Sequence, residues 1–374
     1  SPASALFGLF DSDSLAAGSR YAFVASQTEA RIVAIDTQED EIAAELELAN
    51  IATSIMISDS LNLLVATHAD SSSLTLIDLE SRQNLPALDI GMIADTGLLN
   101  PLDQYMAFGN KQGQVSVWDM NAREQMFQIN DLGSAINLTF SIDGTRLFVV
   151  EPTERQISVI GMNARKKIAE IILPEVNRSI DSGLTNPQDA PKITAISRSA
   201  DGHTGFLSIT SENKVIVLDL LKLSIKQTIA VDAEPMRPFS TADNRYVLIP
   251  HRAAKSIYVL DALSLAIRGN IKIGLPAREL NTGWLDTVAF AMSAEDERIA
   301  VIDLQKLTLE QTLTLSGRPD DGLVTSDSKR LYTALLNTNT VARIDARSRK
   351  VLEITTNTPG LGNIEIAISN NICH

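Results

Sequence analysis

A short phrase that recurs eight times along the chain constrains its fold more than any other feature. Each copy is an apolar strand pattern that ends at a turn, as in IVAID, LTLID and VSVWD, and another strand pattern follows. The final residues of the copies are Asp36, Asp78, Asp119, Gly161, Asp219, Asp261, Asp303 and Asp345. Neighbouring copies lie 41 or 42 residues apart, except for an interval of 58 between the fourth and fifth. A repeat of about 40 to 45 residues with four short strands is typical of a β-propeller. We therefore predict one all-β domain over residues 1–374, an eight-bladed β-propeller.

One complete repeat, residues 134–173, shows the order of the four strands. SAINLTFS predicts the innermost strand, RLFVVE the second, QISVIG the third and KIAEIIL the outer strand, with turn residues between them. The Asp that ends most third strands has a short carboxylate that can accept backbone N–H groups of the following turn. We therefore interpret these aspartates as turn residues, and we expect the turn after Gly161 to be held in another way.

The two ends of the chain are predicted to close the ring in blade 1. RYAFVAS, before the first phrase, predicts the second strand of that blade, and residues 363–369 repeat the inner-strand pattern. Pairing them would remove the open edges of the sheet array. LFGLF at residues 6–10 is a competing candidate for the same strand. Residues 1–19 are otherwise interpreted as an N-terminal extension.

The repeats resemble those of YVTN-type propellers of the surface-layer and YncE-like kind. FSIDG (140–144), RSADG (198–202) and VIDLQ (301–305) stand at the places of that family's turn and third strand. VSVWD (115–119) is similar to WD40 repeats, although the GH dipeptide of those repeats is missing. The resemblance implies a fold and no particular chemistry, because both families contain enzymes and interaction modules.

Charge and composition exclude some classes of partner. The net charge of −14 argues against nucleic acid, which needs a concentrated basic surface. No apolar run approaches the roughly 18 residues of a membrane-spanning helix. The small-residue start, SPASA, is typical of a chain from which a signal peptide was removed, so we expect a periplasmic or extracellular protein; a shortened chain is the alternative.

The candidate ligand face is the end of the channel where outer strands connect to the next inner strands. An inserted loop, residues 174–191, accounts for the long interval between blades 4 and 5. Arg237 and Arg278 each follow a Pro by two residues at the start of neighbouring inner strands. Arg318 and Lys192 stand beside Pro residues in blades 8 and 5. These cations could bind a small anionic ligand; the alternative is that they pair with the adjacent Glu234, Glu279, Asp320 and Asp321.

Histidine and cysteine offer little chemistry. His68 and His251 are placed in exposed loops between second and third strands, as ligand-binding candidates in opposite blades. Their spacing matches no metal motif, so we expect no metal. Cys373 cannot form an internal disulfide. A haem-attachment motif would need Cys where Asn370 stands, so no cofactor is predicted.

These observations favour an exported binding module with a protein partner and an anionic ligand in the channel mouth. The alternative is an enzyme or enzyme subunit, of the oxidoreductase or lyase/lactonase type, with its ligand or cofactor in the central channel.

Overall fold

Eight antiparallel sheets arranged as blades make up the fold. The computed structural model describes residues 14–16, 18–175 and 192–368. Seven blades have four strands, and blade 2 has five because its outer strand is divided into two short pieces. The predicted all-β, eight-bladed propeller is therefore confirmed. The two helices in the described ranges are three-residue 3-10 turns, Gly18–Arg20 and Thr210–Glu212, and neither could cross a membrane.

The strands are numbered in chain order. Blades 1 to 4 contain, apart from one strand of blade 1, β1 (Tyr21–Ser26), β2 (Arg31–Asp36), β3 (Glu41–Glu47), β4 (Ala52–Ser58), β5 (Leu63–His68), β6 (Ser71–Asp78), β7 (Gln83–Asn84), β8 (Leu88–Asp89), β9 (Thr96–Leu99), β10 (Met106–Gly109), β11 (Val115–Asp119), β12 (Glu124–Ile129), β13 (Asn137–Phe140), β14 (Arg146–Glu151), β15 (Gln156–Gly161) and β16 (Lys166–Ile172). The remaining strands are β17 (Ser197–Arg198), β18 (Thr204–Ile209), β19 (Lys214–Asp219), β20 (Ser224–Ala230), β21 (Phe239–Ser240), β22 (Tyr246–His251), β23 (Ser256–Asp261), β24 (Ile267–Lys272), β25 (Glu279–Gly283), β26 (Val288–Met292), β27 (Arg298–Asp303), β28 (Thr308–Thr314), β29 (Pro319–Val324), β30 (Arg330–Leu335), β31 (Thr340–Asp345), β32 (Val351–Thr355) and β33 (Leu361–Ile366).

The ring closes in blade 1 as predicted, with slightly different bounds. β33 is the innermost strand of that blade and pairs antiparallel with β1, with Ile364 opposite Val24. It runs over Leu361–Ile366, so it begins and ends earlier than the predicted 363–369. The competing segment 6–10 and residues 176–191 of the predicted insertion lie outside the described residues.

The core of the molecule lies between the blades. The described residues form eight buried apolar clusters, and each cluster fills the joint between two neighbouring blades. Second and third strands are therefore buried on both faces, which explains why they appear in the sequence as continuous apolar runs.

The aspartate that ends the third strand is a turn residue in seven blades. In blade 7 one carboxylate oxygen of Asp303 accepts the N–H groups of Gln305 and Lys306, at 2.8 and 3.0 Å. In blade 6 the Asp261 carboxylate accepts the equivalent N–H groups of Ser264 and Leu263, and these bonds hold its pKa at about 2. The residue four positions after each of the eight phrase ends has a positive φ, so all eight turns share one shape. In blade 4, where Gly161 has no carboxylate, the Arg165 N–H still closes the turn on the Gly161 carbonyl at 2.8 Å.

Loss of one such carboxylate has a modest expected effect. Replacing Asp303 with Ala removes two acceptor bonds from a turn whose backbone is otherwise unchanged, so we expect the free energy of unfolding to fall by about 1 kcal/mol. Urea unfolding measures this loss of free energy. Asp327→Ala removes an equivalent bond in a different turn and is a second case for the same measurement. An unchanged midpoint for Asp303→Ala would contradict the turn role.

Candidate binding site at the channel mouth

The inner strands of blades 7, 8 and 1 bring polar side chains to one level of the channel. Leu280, Gly322 and Ile364 occupy equivalent places on these inner strands. Each lies opposite the fourth residue of the second strand in its own blade. The residues just before them are Glu279, Asp321 and Asn363. Three neighbouring blades therefore present an acid, an acid and an amide side by side.

The predicted cation Arg278 is held in an ion pair between blades. Its Nη1 atom lies 2.9 Å from Oδ1 of Asp320 in blade 8. The Arg278 side chain is nevertheless about half exposed, at 54% of its surface. The alternative interpretation, pairing with an adjacent acid, thus describes Arg278.

Arg237 belongs to the same region but has a different contact. Its Nη2 atom donates to the carbonyl oxygen of Ile196 in blade 5, at 2.8 Å. Burial raises the pKa of Glu279, and the positive charge of Arg237 partly opposes that rise. The neighbouring Glu234 instead binds Arg252, at 2.9 Å. Arg237 and Arg278, in consecutive blades, are therefore both close enough to Glu279 for their charges to act on it.

The acids of this wall outnumber its cations. Among the described residues the wall contains the carboxyl groups of Glu279, Asp320, Asp321 and Glu365 and the guanidinium groups of Arg237 and Arg278. We call these six residues the channel cluster.

Three of the carboxyl groups hold their protons more tightly than usual. Burial raises the pKa of Glu279, and the negative charge of Asp321 raises it further. Burial also raises the pKa of Asp321, although the Ile364 N–H donates to its Oδ2 atom at 3.2 Å and opposes the shift. The pKa of Glu365 rises to about 8 through burial and the nearby Asp321. Many protein atoms surround the Glu365 carboxyl group and raise its pKa, but part of the side-chain surface is still exposed to solvent.

A buried amide lies beside the channel cluster. Asn281 is 1% exposed, and its Nδ2 atom has no hydrogen-bond partner among the described residues. It faces blade 8 closely, because a methyl group on Gly322 would lie 3.2 Å from this Nδ2 atom. A buried donor without a partner is uncommon, and it adds to the polar character of the wall.

The other two predicted cations form no ion pair with the channel cluster among the described residues. Lys192 and Arg318 are both exposed. Lys192 precedes the inner strand of blade 5 and Arg318 that of blade 8, so blades 6 and 7 separate them. Neither side chain forms an ion pair within the described part of the chain.

The predicted exposure of the two histidines is wrong. His68 is 1% exposed at the end of β5, and its ring nitrogens contact the Ile51 carbonyl oxygen at 3.0 Å and Thr75 Oγ1 at 2.7 Å. His251 is fully buried at the end of β22, with Nδ1 3.0 Å from the Ile249 carbonyl oxygen and its ring against Tyr258. Burial lowers the pKa of His251 to about 4. Each side chain completes the packing of its own blade.

Comparison with known proteins adds information about the fold. No protein-family model matches the chain, and no curated protein matches it, so the resemblance to YVTN-type and WD40 repeats stays a prediction. Among solved structures, the dihydro-heme d1 dehydrogenase NirN in complex with DHE is similar, with a TM-score of 0.76, 13% identity, and coverage of 98% of this chain and 78% of that one. The likeness establishes the propeller fold.

Two further solved structures agree. Hydrazine synthase of Kuenenia stuttgartiensis aligns with a TM-score of 0.56 and 13% identity, over 82% of this chain and 96% of that one. A functionally unknown protein from Desulfotomaculum acetoxidans aligns with a TM-score of 0.58 and 16% identity, over 80% of this chain and 96% of that one.

The three described histidines do not fit an axial ligand for a haem at the channel mouth. Both ring nitrogens of His68 have hydrogen-bond contacts, and the unpartnered Nε2 atom of His251 is buried. His203 is exposed, but it follows the turn between inner and second strands, at the opposite end of the channel. No group of three or more His, Cys, Asp or Glu within the described ranges could hold a metal ion.

Sequence reasoning named part of the channel cluster and missed part. Glu279, Asp320 and Asp321 were recognised as neighbours of the arginines. Glu365 was missed, although a charge at the centre of the apolar inner-strand pattern NIEIAIS was a usable signal.

Proposed function

We propose that this protein is a binding module whose ligand enters the channel mouth and presents a positively charged group to the channel cluster. The observation that carries the proposal is the excess of carboxyl groups over guanidinium groups on one wall formed by blades 6, 7, 8 and 1. An uncompensated carboxylate in a confined site gains from a cationic partner. A ligand cation would replace the protons that Glu279, Asp321 and Glu365 retain.

An anionic ligand at Arg237 and Arg278 is the other form of this function. Such a ligand would have to compete with Asp320 for Arg278 and approach Glu279, so the acid excess opposes it. The exposed half of Arg278 is the feature that favours it. An export location and a protein partner remain part of the proposal and rest on the sequence alone.

The enzyme alternative finds support only in the likeness to NirN and hydrazine synthase. That likeness is at 13% identity and concerns the fold. Since the described histidines do not fit an axial ligand, we do not extend the alternative to a catalytic step.

Calorimetry with two opposite probes tests the ligand's charge. At a pH above the Glu365 pKa of about 8, spermidine is expected to bind the intact protein and to bind Glu279→Gln/Glu365→Gln at least about tenfold more weakly, because the variant loses two carboxylates. Glu41→Gln, a change on the exposed outer strand β3, is the matched control and should bind like the intact protein.

The pH dependence has a definite sign. Spermidine affinity should increase as the pH rises through the Glu365 pKa of about 8, since deprotonation creates the charge that binds the cation. If citrate binds instead, and Arg237→Ala/Arg278→Ala abolishes that binding, the ligand is anionic and the cationic proposal is wrong.

A further inference from the structure

A second candidate site lies at the opposite end of the ring, in the joint between blades 8 and 1. The turn between inner and second strands of blade 8 (325–330) and the turn after Asp36 in blade 1 border a cavity of about 360 Å³ there. A cavity of this size is within the range of small-molecule sites. It is remote from the channel cluster because these turns are at the other ends of the strands.

The joint between blades 4 and 5 provides an internal comparison. There the Arg146 Nη1 atom donates to the carbonyl oxygens of Leu220, at 3.0 Å, and Leu221. In the joint between blades 8 and 1, Arg330 occupies the same place and donates to the carbonyl oxygens of Thr37 and Gln38. This arginine contact is therefore a recurring structural element and does not itself indicate a ligand.

The side chains around that shared contact differ between the two joints. In the joint of blades 4 and 5 three of the equivalent positions are apolar, Ile142, Leu220 and Leu221, and a methyl group on Gly202 would lie 2.4 Å from Ile142. In the joint of blades 8 and 1, Ser326 takes the place of Ile142, and its Oγ atom lies 3.0 Å from that of Ser19. Thr37 and Gln38 replace the two leucines. Three positions that are apolar in one joint are therefore polar in the other, on the same backbone arrangement.

Positive charge is concentrated around the polar cavity. Arg20, Lys329 and Arg330 line it, together with one carboxylate, Asp327. The Asp327 Oδ1 atom already accepts Thr325 Oγ1 and the Lys329 N–H. Arg20 uses Nε and Nη2 to bind Asp36. The Lys329 ammonium group has no ion pair or hydrogen bond within the described part of the chain.

We propose that this cavity binds the oxyanion group of a small molecule, a phosphate or a carboxylate, with Lys329 as its principal contact. The hydroxyl groups of Ser19 and Ser326 lie beside the cationic groups, whereas the Thr37 hydroxyl already donates to the Arg20 carbonyl oxygen at 2.7 Å. Hydroxyl and cationic donors together are the chemistry that recognises such oxyanions. A cationic cavity is notable in a chain of net charge −14. The site is independent of the channel cluster and does not rest on the proposed function above.

Titration calorimetry with inorganic phosphate and with succinate, at constant ionic strength in chloride, tests the proposal. The intact protein is expected to bind at least one of the two, and phosphate binding alone or succinate binding alone identifies the oxyanion. Lys329→Ala should weaken the binding at least about tenfold, because one charge-assisted contact is lost. Lys222→Ala, an exposed lysine at the same end of the ring in blade 5, should leave it unchanged.

Two further measurements keep the result clear. Thermal unfolding without anion should give the same midpoint for Lys329→Ala and the intact protein, which shows that the variant folds. Glu279→Gln/Glu365→Gln should bind the oxyanion like the intact protein, since the two sites are separate. Absence of binding by both probes, or binding that Lys329→Ala does not weaken, overturns the proposal.

Discussion

Removal of residues from Gly362 onward is expected to give a protein that unfolds at a much lower temperature or is recovered as insoluble material. The deletion takes away nearly all of β33 and leaves β1 as an unpaired edge. It also removes Ile364 and Ile366, which are 3% and 7% exposed in the joint of blades 8 and 1. We expect a loss of at least about 5 kcal/mol, a large part of a domain's stability.

A pair of point variants tests the same closure without a deletion. Ile364→Ala removes a buried side chain from β33 and should cost about 2 to 5 kcal/mol. Ile368→Ala changes the same residue type just beyond the strand, where the side chain is 48% exposed, and should cost little. Equal melting temperatures for the deleted, the Ile364→Ala and the intact chains would show that β33 does not hold the ring.

The second large effect concerns an ion pair in the same joint. Arg343 Nη2 lies 2.9 Å from Asp40 Oδ2, and the two side chains are 17% and 13% exposed. The Tyr332 hydroxyl also donates to Asp40. Asp40→Asn retains a residue type that tolerates the positive φ of this position but leaves the guanidinium without its counter-charge. We expect the free energy of unfolding to fall by about 3 kcal/mol.

A double-mutant cycle separates the ion pair from general damage. The positions equivalent to Arg343 in the other blades are all apolar: Ala34, Leu76, Val117, Val159, Val217, Val259 and Val301. Arg343→Val in the Asp40→Asn background should therefore recover most of the lost stability. Asp59→Asn, a change at an exposed aspartate, serves as the control for loss of one charge. A double variant as unstable as Asp40→Asn alone would contradict the role assigned to Arg343.

Strands with strong internal packing could be predicted from the sequence with little error. β14 and β15 coincide with the predicted RLFVVE and QISVIG, because burial on both faces requires unbroken apolar runs there. The aspartates could be assigned to turns because the bonds that they form are local and involve residues two and three positions ahead.

The channel cluster could be predicted only in part, because it depends on register between blades. The pairing register of β29 with β30 shifts between Pro319 and Gly322, and that of β33 with β1 shifts near Leu361. The positions of Asp321 and Glu365 along the channel therefore cannot be derived by counting residues within the repeat. The histidines were misplaced for a related reason. His68 and His251 are the last residues of their strands. An error of one or two positions in the predicted strand end therefore places a buried side chain in an exposed turn.

The closing strand also fixes the order in which the molecule can be assembled. A hydrogen bond from Ser26 to the Pro359 carbonyl joins residues separated by 333 positions, so blade 1 is begun before the other seven blades are synthesised and is completed after them. The wall that contains Glu365 and the cavity between blades 8 and 1 both arise only at that final step. An incompletely synthesised chain would therefore lack both candidate sites, and ligand binding at either one would report that the ring has been finished.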